Sequence, residues 1–285
     1  MPSLKYHLDH FLDHFPREER LSSDPVQFVH RYDDPRDREI AGLIAAVFAY
    51  GNVKSVLRTV DNALSYLGPS PARTIASFDV RRDLRDLRGF YHRFNTSRDL
   101  AVLFWIIQRA MERYGSLEAT FTSGLSSSDA DITGALENFS ATLLGFGHEP
   151  FYPRGELKRR IGVRFFFPRP SEGSACKRLN LYLRWMARPA DGIDCGVWSG
   201  VAPSQLVIPL DTHIARISTY IGLTEMKSPG WPMALDITRS LRRLHADDPL
   251  RYDFALCHLG IAGDCPRKRN LEKCVRCPIL AICKL

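Results

Sequence analysis

The chain has 285 residues, with 39 lysine plus arginine against 32 aspartate plus glutamate, a formal net charge of +7. At 45% hydrophobic and 25% charged it falls in the ordinary globular range, which excludes disordered, collagen-like and fibrous classes. Met1 to His7 lacks the basic stretch and apolar run of an export signal, and the longest apolar stretch, Ile40 to Tyr50, contains Gly42 and is too short to cross a bilayer. A soluble cytoplasmic protein with no membrane partner is expected, its seven cysteines free or metal-bound rather than disulfide-paired.

Helical periodicity runs through almost the whole chain. Glu39 to Tyr50 reads as a buried helix, and Asn52 as the N-cap of a second one that ends at Leu67 before Gly68-Pro69. Ser97 is expected to cap Asp99 to Tyr114, whose Leu100, Leu103, Phe104, Ile107 and Met111 share a face, and Asp131 to cap Ile132 to Leu144. The proline-rich stretch His148 to Ser174 reads as a linker or surface arm. Further helices are expected near Ser174 to Met186, Thr212 to Ile221, Met233 to Leu244 and Pro249 to Leu259. Together these predict an all-α, two-lobed fold in one unit: a helical region over 1–147, a basic aromatic arm over 148–173, a second helical region over 174–260 and a cysteine loop over 261–285.

The charge is concentrated. Residues 151–185 carry Arg154, Lys158, Arg159, Arg160, Arg164, Arg169, Lys177, Arg178 and Arg184 against Glu156 and Glu172, so this window alone equals the whole net excess. It also holds Phe151, Tyr152, Phe165, Phe166, Phe167, Tyr182 and Trp185. Cations interleaved with rings offer phosphate neutralisation and base stacking, so nucleic acid is an expected partner, with Arg164, Arg169 and Arg178 on phosphates. The alternative is a solvated surface.

Cys265, Cys274, Cys277 and Cys283 follow the spacing Cys-x8-Cys-x2-Cys-x5-Cys, close enough to surround one metal centre. Zinc and a 4Fe-4S cluster are both chemically allowed. Arg267, Lys268, Arg269, Lys273 and Arg276 make this loop a second basic cluster. Upstream, Asp211 follows Pro209-Leu210 and precedes Thr-His-Ile-Ala-Arg, a good N-cap whose carboxylate could stabilise a growing positive charge or take a proton from a nucleophile. Simple capping is the competing reading.

The cysteine loop and its lead-in, Leu256-Cys257-His258-Leu259-Gly260, resemble the iron-sulfur loop of endonuclease III and the adenine glycosylases of the helix-hairpin-helix superfamily, with a longer first gap. Ile208 to Arg216 is similar to that superfamily's catalytic segment, where an aspartate begins a helix. These two motifs cover about the last third of the chain. The interval Ala190 to Pro203 departs from the pattern, holding no lysine where lyase members carry their nucleophile; Gly192-Ile193-Asp194-Cys195-Gly196 is a degenerate version of the hairpin. Lys177, 34 residues before Asp211, instead resembles the lysine of the archaeal 8-oxoguanine glycosylase branch. Asp24 to Tyr32, Ala49 to Asn52 and Gly173 to Asn180 also resemble a bacterial group of uncharacterised proteins.

The resemblance implies a monomeric DNA glycosylase with AP lyase activity, acting in base-excision repair on a damaged base flipped from duplex DNA and so associated with the nucleoid. Lys177 would be the nucleophile, with an exposed phosphate-contacting lysine as the alternative, and Asp211 its partner. Cys265, Cys274, Cys277 and Cys283 would hold a 4Fe-4S cluster, with Arg267, Lys268 and Arg269 beside it on DNA. Asn52, Trp185 and Trp198 are candidates for the base pocket, core packing being the other reading for the tryptophans. Two other classes compete: a non-catalytic iron-sulfur nucleic-acid-binding protein of the same fold, and a zinc-stabilised helical protein.

Overall fold

The computed structural model describes residues 3–147, 150–151 and 161–285. The first half runs α1 (Leu4–Asp13), α2 (Arg17–Leu21), a 3-10 turn (Pro25–Arg31), α3 (Pro35–Val47), α4 (Val53–Ser65), α5 (Pro71–Ala76) and α6 (Val80–Asp83). A two-stranded antiparallel hairpin, β1 (Tyr91–His92) with β2 (Asn95–Thr96), leads into α7 (Ser97–Tyr114), α8 (Leu117–Thr122) and α9 (Thr133–Gly145). The second half holds α10 (Ile161–Phe166), α11 (Lys177–Ala187), α12 (Thr212–Tyr220), α13 (Trp231–Leu244), α14 (Asp253–Ile261) and the short α15 (Leu271–Cys274). The described chain is thus predominantly helical, and no helix among the described residues is long and apolar enough to cross a membrane.

Local chemistry sets the helix starts. Asn52 caps α4 by accepting the Lys54 amide at 3.0 Å, and Asp131 accepts the Thr133 amide at 2.9 Å. Thr96, rather than Ser97, caps α7 through a capping box with Asp99. Ser174 does not cap α11; Cys176 holds that position at a left-handed φ of 49°, and the Ser174 hydroxyl accepts the Cys176 amide at 3.1 Å.

The core is built on α3, buried from Ile40 to Phe48, and α11 crosses it closely. A Cβ on Gly42 would stand 2.9 Å from Met186 Cε and 3.2 Å from the Tyr182 ring, so any larger residue there would force those side chains to shift. Trp185 and Trp198 belong to this core, not to a base pocket: Trp185 is fully buried, and the Trp198 indole N–H donates to Glu39 at 2.6 Å.

The segment expected as a basic aromatic arm is built into the same core over its described part. Val163 and Phe166 of α10, Phe167 after it and Phe151 are all buried. Arg178, expected on phosphates, is only 7% exposed; its guanidinium donates to the carbonyls of Val47, at 2.6 Å, and Phe165. Its head group bonds what would otherwise be unpaired carbonyls, which removes it from any DNA-facing surface. Arg164 and Arg169 both pair with Glu172, at 3.0 and 2.7 Å. Tyr152, Arg154, Glu156, Lys158, Arg159 and Arg160 lie outside the described residues.

Candidate active site

Two helix N-termini, those of α11 and α12, open on one cleft of about 430 Å³, within the range of small-molecule sites. Its lining includes Asn52, Lys177 and Asp211, three residues singled out in the sequence, together with Asp24, Asp253, Phe254, Cys257 and His258.

Lys177 is the first residue of α11 and half-buried; among the described residues no hydrogen bond or ion pair holds its amine. Asp211 caps α12: Oδ1 accepts the amides of His213 and Ile214, each at 2.8 Å, and Oδ2 accepts the Cys257 thiol at 3.5 Å. Burial first, then the Asp211 charge, push that thiol well up, so Cys257 is a hydrogen-bond donor and not a thiolate nucleophile. His213 packs against bare backbone: a Cβ on Gly260 would lie 2.5 Å from the His213 Cβ, which fixes glycine where α14 meets α12. Burial lowers the His213 imidazole, keeping it neutral near pH 7.

The floor is ionic. Arg184 donates to Asp194 at 3.1 Å and to Asp253, with all three side chains buried. Arg188 joins through Asp194 and Asp248, the latter at 2.8 Å. Burial pushes the Asp253 carboxyl up to about 6 against the pull of Arg184, and its Oδ1 has no partner. Across the cleft, Asp24 Oδ2 meets His258 Nε2 at 3.2 Å while Oδ1 accepts the Val26 amide at 2.9 Å. Burial alone would raise the Asp24 carboxyl; the bonds from His258 and Val26 outweigh it and leave the group below the usual range.

Asp24, Asp253 and Arg184 were not picked out as site residues in the sequence. One signal was present: Arg184 stands within the otherwise apolar run Leu181 to Ala187, where a buried guanidinium must find acceptors.

Cys265, Cys274, Cys277 and Cys283 line one small cavity with Ile217, Tyr220, Ile279 and Leu280. Their sulfurs are near enough that burial first and then their mutual repulsion raise the Cys277 thiol. All four are free thiols, the donor set a cluster or zinc requires, although no three His, Cys, Asp or Glu side chains among the described residues converge on a single-ion geometry. The loop is tied to α12, where Arg216 donates to the Cys265 carbonyl at 2.9 Å and the Tyr220 hydroxyl to that of Arg267 at 2.8 Å. Arg267, Lys268 and Arg269 are exposed, and no ion pair among the described residues holds them. A larger groove, of about 770 Å³ between α1 and this loop, contains neither Lys177 nor Asp211.

Residues 188–211, between α11 and α12, contain one 3-10 turn, Pro203–Gln205. The Gly192 to Gly196 segment folds back on α11, its Cys195 amide donating to the Trp185 carbonyl at 2.8 Å. Gly196, at φ 59°, is obligatory, since a Cβ there would lie 2.7 Å from the Ala190 backbone nitrogen. This loop serves as the helix's cap and supplies Asp194 to Arg184.

Comparison with curated proteins and with solved structures returned no match. A family profile, described as protein of unknown function (DUF2400), matches residues 24–262, a span that takes in the cleft lining from Asp24 through Ile261, leaving out Ser23, and stops before Cys265. The chain belongs to that family.

Proposed function

We propose that the protein is a DNA glycosylase with AP lyase activity, which removes a damaged base through Lys177 and Asp211. The observation carrying this reading is that an amine without an ion pair among the described residues and a carboxylate held by two backbone amides line one cleft, each at a helix start. The resemblance of Ile208 to Arg216 and of the Lys177 segment to glycosylases supplies the reaction class.

In this reading the damaged nucleotide leaves the duplex and enters the cleft. The Lys177 Nζ lone pair attacks C1′, and the C1′–N bond breaks with its electrons going to the departing base, which takes up a proton. Asp211 stabilises positive charge on the sugar as that bond lengthens and accepts a proton from Nζ. Opening of the C1′–O4′ bond gives a protonated imine; loss of a C2′ proton then expels the 3′ phosphate. Asn52 lines the same cleft, where its amide can contact the base edge or sugar.

The four loop cysteines are proposed to hold a 4Fe-4S cluster; once bound, it would fix the loop and its exposed Arg267, Lys268 and Arg269 against the DNA backbone. Purified protein should be brown, with stoichiometric iron and sulfide; colourless protein containing zinc would reject the cluster.

The decisive test is borohydride trapping on duplexes carrying different lesions, oxidised guanine first, and on an abasic site. A covalent adduct with wild type that is absent from Lys177→Gln supports the proposal. An equal adduct from that variant removes Lys177 from the role. Salt-sensitive DNA binding with no product on any substrate would favour a binding module instead.

A further inference from the structure

The combination of exposed cations and exposed rings, absent from the described part of residues 151–185, is present at the β1–β2 hairpin and the start of α4. The register Tyr91↔Thr96 and His92↔Asn95 leaves Arg93-Phe94 as a two-residue turn. Arg93 takes a φ of 56°, a left-handed conformation that favours glycine, so this turn is held against its own preference. Phe94 is 44% exposed and Tyr91 68% exposed.

Beneath the turn the hairpin is fixed. His92 Nδ1 bonds the Thr59 hydroxyl of α4 at 2.8 Å, His92 Nε2 bonds the Tyr50 carbonyl at 3.1 Å, and the Tyr50 hydroxyl donates to Asn95. Phe94 stacks on Tyr50 with ring centroids 5.6 Å apart and meets the edge of Phe165 at 4.9 Å. Tyr50 leads directly into Gly51 and Asn52 of the cleft wall, and the Arg93 guanidinium stands 3.1 Å from where a Gly51 Cβ would be. Lys54 and Arg58 of α4 are exposed, as are Arg85 and Arg88 on the chain entering the hairpin; no ion pair among the described residues holds any of them. Asp86 is the exposed acid of that segment.

We propose that this hairpin is a base-stacking contact for DNA, with Phe94 and Tyr91 on bases unstacked beside the cleft and Arg93, Lys54 and Arg58 on flanking phosphates. The proposal rests on the DNA reading above and deepens it. A ring already fixed by Tyr50 and Phe165 loses little freedom on stacking, and every base presents a π face, so the contact is sequence-tolerant. The cations supply the neutralisation that the backbone requires.

The test is anisotropy titration of the full chain with a duplex carrying a tetrahydrofuran abasic analogue, which cannot form the imine, at several salt concentrations. Phe94→Ala and Tyr91→Ala should each weaken binding about 5- to 100-fold with an unchanged salt slope. Arg93→Gly should weaken it with a slope shallower by about one, and should melt no lower than wild type because glycine suits the turn. Phe94→Leu keeps the apolar fill against Tyr50 without the ring, and Tyr91 has no aromatic partner among the described residues to lose. Wild-type affinity in both Phe94→Leu and Tyr91→Ala overturns the proposal, as does failure of wild type to bind the duplex at low salt. Weakened binding by the hairpin variants with no borohydride adduct from wild type sinks the lyase chemistry and keeps the hairpin; an adduct with unweakened variants does the reverse.

Discussion

Lys177 and Arg184 lie two turns apart on α11 and both line the cleft, but their surroundings are opposite. Arg184 is buried between Asp194 and Asp253, with further carboxylates reached through Arg188. Lys177 lines the same cleft half-buried, with no ion pair among the described residues. An arginine in such a cage is part of the wall, and losing it strands two buried carboxylates. A lysine left without a partner is available to a substrate. The same contrast separates Arg178, spent on two backbone carbonyls, from Arg267 to Arg269 on the loop surface.

Substitutions at these positions test the contrast, and the largest effect is expected at Lys177. Lys177→Gln should abolish the trapped adduct while leaving urea stability within about 0.5 kcal/mol, the usual range for a site without structural partners. A large stability loss would mean that Lys177 is structural after all. Arg184→Ala should behave oppositely, losing about 3–5 kcal/mol in urea unfolding because the partner carboxylates stay buried and uncompensated. That is a large fraction of a domain's total stability.

A pH effect of intermediate size is expected at Asp253. Its folded value of about 6 lies above the ordinary carboxyl value of 3.8, so the folded chain keeps this proton longer than the unfolded one. Its favourable contribution is complete below about pH 4 and is lost as pH rises through 6. Relative to Asp253→Asn, wild-type stability should therefore fall by on the order of 2 kcal/mol between those limits. Urea midpoints at half-unit pH steps measure it, and a constant gap would contradict it. The smallest effect belongs to Arg164→Gln: a half-exposed pair with Glu172 should contribute under about 1 kcal/mol. If DNA binding in that variant also keeps its salt slope, Arg164 is not a phosphate contact.

Long helices with one apolar face, such as α4 and α7, were legible because their period repeats several times. Single-turn helices such as α6 and the two-residue strands offer no period to read. The caps Asn52, Asp131 and Asp211 were legible because a side-chain oxygen bonds an amide two or three residues on, a purely local event. The carboxylates of the cleft were not, since Arg184 meets Asp253 across 69 residues and Asp24 meets His258 across 234. The described part of residues 151–185 departs from its sequence reading for a related reason. Composition counts cations and rings but not their destinations, and in the described part of that segment they lead to Glu172, to backbone carbonyls, to the buried Asp194 and Asp253 and to the core, with Lys177 left at the cleft.

The Asp24–His258 contact joins two points 234 residues apart, and the Tyr252 hydroxyl donates to Asp9 at 2.5 Å across a similar span. During synthesis at about 5–20 residues per second, roughly 12–47 seconds separate the appearance of these two partners. Helices such as α3 and α4 can form long before, but the cleft has no far wall until α14 emerges. A chain released between Asp211 and α14 thus carries Lys177 and Asp211 with no α14 wall to enclose the cleft around them.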